Sequence, residues 1–223
     1  MREVVLDTET TGLDPNSGDR VVEIGCVELV NHLPTGATKQ WYLNPDRDMP
    51  EGAFRIHGLS AEFLSDKPRF GDIAGDFLDF IGDSPLIIHN ADFDLKFLNA
   101  ELRRIGKESL AQGRAIDTVV LARRKFPGAQ ANLDALCKRF GIDNSNRSMH
   151  GALLDSELLA EVYLELLGGR EPGLALTETT GSAASGAKAA RTPRPSRPHA
   201  PTEAEAEAHQ AFLGRLSDPI WNQ

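Results

Sequence analysis

Cysteine is scarce: only Cys26 and Cys137 occur in 223 residues. Neither stands in a CxxC or other ligand spacing, which argues against a disulfide framework and against a thiolate metal centre. One falls in a strand-like run, VVEIGCVEL, and the other in a helical run, LDALCKRF, so both read as buried, reduced thiols. No run of about 18 apolar residues occurs, which excludes a membrane-spanning helix. The opening Met1-Arg2-Glu3-Val4 enters a strand at once and does not read as a signal peptide, so a cytoplasmic location is expected. Positive charge is also short: 24 Lys and Arg face 33 Asp and Glu, a formal net charge of −9. That balance argues against strong autonomous binding to nucleic acid through phosphate neutralisation. It permits an enzyme whose metal ions meet the phosphate and which is tethered near its DNA. No internal repeat is present.

The composition changes near Gly168-Gly169. Residues 171–202 hold 23 Gly, Pro, Ser, Thr or Ala among 32 positions, which predicts a flexible, disordered linker. Its second half is basic through Lys188, Arg191, Arg194 and Arg197, and Pro193, Pro195 and Pro198 stiffen it. The segment EAEAEAHQAFLGRL, residues 203–216, predicts a short helix. With Phe212, Leu213, Leu216, Ile220 and Trp221 it has apolar residues but no domain of its own to bury them, the pattern of a docking peptide.

Residues 1–169 alternate in apolar period. Strands are predicted near 3–7, 20–30, 39–43, 85–89 and 114–116, and helices near 70–81, 93–105, 118–125, 132–140 and 151–167. Ile73, Phe77, Phe80 and Ile81 make one helical stripe, and Asn132 is a plausible N-cap for a helix that turns Leu133, Leu136, Cys137 and Phe140 inward. Three early strands followed by strand–helix units predict an α/β fold, a mixed sheet flanked by helices.

Three segments carry chemistry. In VLDTETTGLD, a strand places Val5, Asp7 and Glu9 on one side. In PLIIHNADFDLKFL, a buried strand runs into His89-Asn90 and a helix start that contains both Asp92 and Asp94; the dipole alone accounts for acids there. In HGALLDSELLAEVYLELLGG, Asp155 shares the inward face of a helix with Leu158, Leu159, Val162 and Leu166. A carboxylate on a core face is costly unless it is paired or metal-bound. His150 precedes that helix, and Gly151 lets its ring turn back toward the same site. Acids and a His gathered from distant segments suit two-metal phosphodiester hydrolysis, with Mg²⁺ or Mn²⁺ on oxygen ligands and the His as general base.

The set resembles the DEDD exonucleases, in the branch with His in the third motif. The residues that carry the likeness are Asp7-Thr8-Glu9-Thr10-Thr11-Gly12, His89-Asn90-Ala91-Asp92-Phe93-Asp94 and His150-Gly151-Ala152-Leu153-Leu154-Asp155. Within that branch residues 3–169 are similar to the epsilon (proofreading) subunits of bacterial DNA polymerase III, through VVEIGCVELVN, FRIHGLS and RKFPGAQANLDALCKRFGIDNSNR as well. The resemblance implies a ribonuclease H-like mixed sheet and removal of nucleotides from the 3′ end of DNA. It selects Asp94 over Asp92, since the family's second motif is N-x-x-F-D. It implies two divalent ions on Asp7, Glu9, Asp94 and Asp155, His150 as base, and substrate contacts from Asp7, Glu9, Asp155 and His57. It divides the chain into an exonuclease domain (1–169), a flexible linker (170–202) and a tail (203–223) that binds the polymerase (alpha) subunit. REPGLAL, residues 170–176, sits where the family carries a sliding-clamp segment, but lacks the leading Gln. The competing expectations are a free-standing DEDD nuclease acting on RNA or single-stranded ends, and a non-catalytic adaptor.

Overall fold

A computed structural model describes residues 1–147, 149–169 and 201–215 of the chain. Five strands form one sheet in the order β3-β2-β1-β4-β5. They are β1 (Arg2–Thr10), β2 (Val21–Val30), β3 (Leu33–Tyr42), β4 (Leu86–Ile88) and β5 (Ala115–Asp117). The first three are antiparallel, whereas β4 and β5 run parallel to β1. Parallel pairing needs a helical crossover, and the chain supplies it. The helices are α1 (Glu51–His57), α2 (Ala61–Leu64), α3 (Phe70–Ile81), α4 (Ala91–Arg104), α5 (Thr118–Lys125), α6 (Leu133–Phe140) and α7 (Ala152–Leu167). A separate helix, α8 (Glu203–Leu213), begins with a capping box between Thr202 and Glu205 and leaves Phe212 exposed.

The period of two in β1 sends alternate side chains to opposite layers. Val4 and Leu6 join Ile24, Cys26, Phe77, Ile88 and Leu95 in a core with α3 and α4. Val5 joins Val27, Ile87, Leu136, Leu159 and Val162 in a core with α5, α6 and α7. Asp7 and Glu9 have the parity of Val5, so they belong to the α7 side. There the start of α7 lies flush on β2. A Cβ placed on Gly25 would come within 2.2 Å of the Ala152 carbonyl carbon, and Ser156 Oγ donates to the Gly25 carbonyl at 3.1 Å.

The predicted α/β architecture is present, with elements near every expected position. Helices 70–81 and 118–125 match α3 and α5, and Asn132 caps α6 by accepting from the Ala135 amide at 2.8 Å. Both cysteines are buried and unpaired. Two expectations need correction. β3 begins at Leu33 rather than near 39, because its first six residues form an exposed edge without apolar alternation. The chain between β3 and α3 carries two helices, α1 and α2, that periodicity did not reveal; each is short and buries one residue, His57 and Leu64. Residues 170–200 of the linker, the 170–176 segment among them, and Leu216, Ile220 and Trp221 of the tail lie outside the described residues.

Gly25→Ala is expected to destabilise the domain by at least about 1–3 kcal/mol, the usual range for overpacking, since backbone rather than a movable side chain blocks the new methyl. Urea denaturation measures it. An unchanged midpoint would show that α7 can lift from β2 without cost.

Candidate active site

Asp7, Glu9, Asp94, His150 and Asp155 line one cleft of about 400 Å³, together with Thr8, His89, Phe93, Asn132, Leu133, Asp134 and Arg147. Asp7 and Glu9 project from β1 as its parity requires. Asp155 comes from the first turn of α7, one turn beyond the close contact at Gly25. The strand predicted near 3–7 is longer: β1 continues to Thr10, with a register shift between Glu9 and Thr10, so both acids stand on the strand itself.

Burial separates Asp92 from Asp94. Asp94 is 3% exposed and accepts a hydrogen bond from Thr8 Oγ at 2.7 Å. Asp92 faces outward and pairs with Gln112. The turn that sets α4 in place has Asn90 in the left-handed region, φ 68°, and the Asn90 and Ala91 amides donate to the Asp117 carboxylate.

Electrostatically the cleft is short of positive charge. Burial raises the Asp7 carboxyl well above its usual range, and the charges of Asp94, Glu9 and Asp155 add to the rise. Glu9 is pushed up to about 8 by burial and then by Asp155, Glu23 and Asp94. Asp94 is likewise raised by burial, against the hydrogen bond from Thr8. Burial pushes Asp155 up too, but the paired hydrogen bonds and charge of Arg147, with His150 Nδ1 3.4 Å away, hold it below the usual carboxylate range.

Glu9, His150 and Asp155 each present a ligand atom within 4.8 Å of the others. Buried carboxylates crowded at this cost, offering oxygen donors beside one imidazole, fit hard divalent ions. His150 is half-exposed, and its backbone amide is tied to the Ile56 carbonyl at 3.0 Å. His57 lines an adjoining groove of about 480 Å³, formed with Thr10, Thr11, Gly12, Leu13, Pro50, Gly52, Ala53 and Ile56; Thr8, Glu9 and Phe93 border both openings.

Two residues escaped the sequence reading. Arg147 grips Asp155 with a fork, Nε to Oδ1 at 2.6 Å and Nη2 to Oδ2 at 2.7 Å. Its signal was a lone Arg three positions before His150, in a stretch with no periodicity. Glu23, buried opposite Glu9 on β2, accepts from Gln40 and from the Ala152 and Leu153 amides at the start of α7. An acid inside the otherwise apolar VVEIG was its signal.

The Exonuclease family model matches residues 4–163. DNA polymerase III subunit epsilon of Rickettsia felis is 52% identical over 222 residues, spanning 97% of each chain. Its counterpart from Haemophilus influenzae is 40% identical over 237 residues, 99% of this chain and 93% of that one. The Escherichia coli counterpart is 46% identical over 176 residues, 76% and 72% of the two chains. Among solved structures, exonuclease X in complex with 5′ overhanging duplex DNA aligns with a TM-score of 0.58 at 25% identity, covering 74% of this chain and 90% of its own. The nuclease domain of 3′hExo, a DEDDh family member, bound to rAMP, aligns with a TM-score of 0.65 at 20% identity over 74% and 91%. That likeness concerns the fold. No helix among the described residues is long and apolar enough to cross a membrane.

The raised carboxyls set a pH dependence. Glu9 rises from 4.5 to about 8 on folding, so the metal-free folded state binds more protons than the unfolded chain, and stability falls as pH climbs through that window. The thermal midpoint in chelator is therefore expected to decline from pH 5 toward 8. Added Mn²⁺ should raise it more at the upper end than at the lower. Scanning calorimetry checks this, and a flat profile in chelator would contradict the charge crowding.

Proposed function

The chain belongs to the exonuclease family, among the DNA polymerase III epsilon subunits, and we propose that it is the 3′→5′ proofreading exonuclease of a replicative DNA polymerase. The observation that carries the reading is convergence. Four acids and one His from β1, α4, the segment before α7 and α7 itself meet in one cleft beside an apolar groove. An adaptor has no use for carboxylates buried at such electrostatic cost.

Two divalent ions, Mg²⁺ or Mn²⁺, on Asp7, Glu9, Asp94 and Asp155 would supply Lewis-acid activation of water and neutralise charge on the scissile phosphate. The protein's own groups do the rest. Thr8 Oγ fixes one Asp94 oxygen and so orients the other. His150, through the lone pair on Nδ1, takes the proton of the attacking water. The adjoining groove offers hydroxyl and apolar surface of a size for a terminal nucleoside. His57 Nδ1 accepts from the Leu59 amide at 3.0 Å, which puts the ring proton on Nε2, a buried nitrogen that has the Thr10 backbone nearby but no hydrogen-bond partner of good geometry among the described residues. We assign it a substrate oxygen.

Attachment belongs to the same proposal. The exonuclease domain (1–169) hydrolyses, the linker (170–202) spaces, and the tail (203–223) docks on the polymerase (alpha) subunit. Phe212, 54% exposed on α8, supports the last part. Residues 170–176 are assigned to the sliding clamp through Leu174 and Leu176, and the setting is the cytoplasm.

His150→Ala is expected to cut nucleotide release from a mispaired 3′ end by about 10²–10⁴-fold, the usual worth of a general base. Mn²⁺ binding should persist. Release is measured against an RNA 3′ end in parallel, and a marked preference for RNA would overturn the proofreading assignment. In a separate test, deletion of residues 171–223 should leave hydrolysis intact and abolish co-elution with the polymerase subunit. Co-elution of the shortened chain would remove the tail from its role.

A further inference from the structure

The cleft already contains one cation. Arg147, its side chain only 7% exposed, spends every branch of the guanidinium on this site. Nε and Nη2 take both oxygens of Asp155, Nη1 donates to Asp134 Oδ1 at 2.7 Å, and Nη2 also lies 3.0 Å from His150 Nδ1. His150 Nδ1 also lies 3.4 Å from Asp155 Oδ2, and an arginine has no acceptor, so in the tautomer with the ring proton on Nε2 it is Nδ1 that accepts from the guanidinium. In that tautomer the Nδ1 lone pair is covered by the same guanidinium that covers the Asp155 carboxylate.

Taking the metal-dependent reading above as its basis, we propose that Arg147 is a positioning residue, a resting-state latch that competes with the divalent ion for Asp155 and masks His150 until that ion arrives. In the metal-free enzyme it compensates Asp155 and holds α7's first turn against repulsion from Glu9. A divalent ion outcompetes it because two charges on one centre satisfy several carboxylates, while a fork satisfies one or two. When Asp155 is given up, Asp134 retains the guanidinium. That acid is exposed and also held by Asn144 Nδ2 at 3.0 Å, so it is an anchor already fixed in place. Loss of the Nη2 contact frees His150 in the same event. Ion binding and exposure of the base are thus one step, and the base is covered when no ion is present to make use of it.

The test is Mn²⁺ titration calorimetry on the full chain and on Arg147→Lys. Lysine keeps the charge and hence the field, but cannot grip two oxygens at once. Loss of that fork should tighten Mn²⁺ binding about tenfold, and the chelated variant should melt below the chelated wild type. Equal or weaker Mn²⁺ affinity in the variant overturns the latch. A wild-type chain that binds no Mn²⁺ overturns the metal-site reading and the latch with it, so the two failures are distinguishable. A second measurement needs no folded variant: in ¹⁵N-labelled wild type, saturating Mg²⁺ should shift the Arg147 Nε–H signal out of its carboxylate-bonded position. A signal that stays in place at saturation also overturns the latch.

Discussion

Repulsion among buried carboxylates is the constraint on which the rest of this molecule turns. Asp7, Glu9, Asp94, Asp134 and Asp155 share a cleft with Arg147 as the one arginine or lysine among its lining residues. Each acid is offset differently. Asp94 has the Thr8 hydroxyl, and Asp155 has the Arg147 fork. Glu23, just behind them, has Gln40 and the amides that open α7. Asp7 and Glu9 have no such partner among the described residues, and burial with the neighbouring acids raises their carboxyls well above the usual range. The deficit of positive charge is therefore localised to the end of β1, between β1 and α7, where the donor atoms of Glu9, His150 and Asp155 cluster. A proton is a poor substitute for a divalent ion there, and the fold is built to make it so.

Such crowding would relax if the backbone could give, so the fold has to deny it room. The sheet does this through register: Asp7 and Glu9 sit opposite Gly25 and Glu23 on β2, and Gly25 is where α7 touches down. Helix α7 cannot retreat without losing the Ser156 hydrogen bond and the layer formed by Leu158, Leu159 and Val162. Glu23 contributes twice, as an acceptor for the amides that open α7 and as a charge that adds to the rise burial and Asp155 impose on Glu9. The acid that anchors the helix thus also raises the demand for a cation beside it.

What was legible in the sequence was whatever a repeating period encodes. The parity of β1 placed Asp7 and Glu9 together, and the stripe of α7 put Asp155 on its buried face, where the structure holds it at 3% exposure. Asp92 and Asp94 were indistinguishable on those terms, since both occupy the first turn of α4. Only the inward direction toward Thr8 separates them, and that depends on β1, more than eighty residues earlier in the chain. Arg147 and Glu23 were illegible for the same reason: the partners that give them meaning are Asp155 and the α7 amides, which no local pattern specifies. Helices α1 and α2 went unread because they have little apolar surface to bury. Helix α1 is held at one edge by the bond from the His150 amide to Ile56, and it walls the groove that contains His57.

The same charge deficit bears on how such an enzyme meets its substrate. A cleft rich in carboxylates, in a chain of net charge −9, repels a phosphate backbone until ions are in place. Long-range attraction therefore cannot deliver DNA to it, and short-range contact must. The groove beside the acids offers Thr10, Thr11, the Gly12 backbone, Leu13 and Ile56, groups that suit one unstacked nucleoside more than a continuous duplex. A paired end costs energy to unstack, whereas a mispaired end has already lost part of that energy, so weak intrinsic affinity itself discriminates. Weak affinity has a kinetic penalty, and the proposed attachment to the polymerase would offset it through an effective concentration on the order of millimolar near the DNA end. On that proposal the acidic domain, the groove and the docking tail are linked requirements. Carboxylates that would hold the ions make free binding weak, weak binding favours frayed ends, and attachment would restore the encounter rate that weak binding gives up.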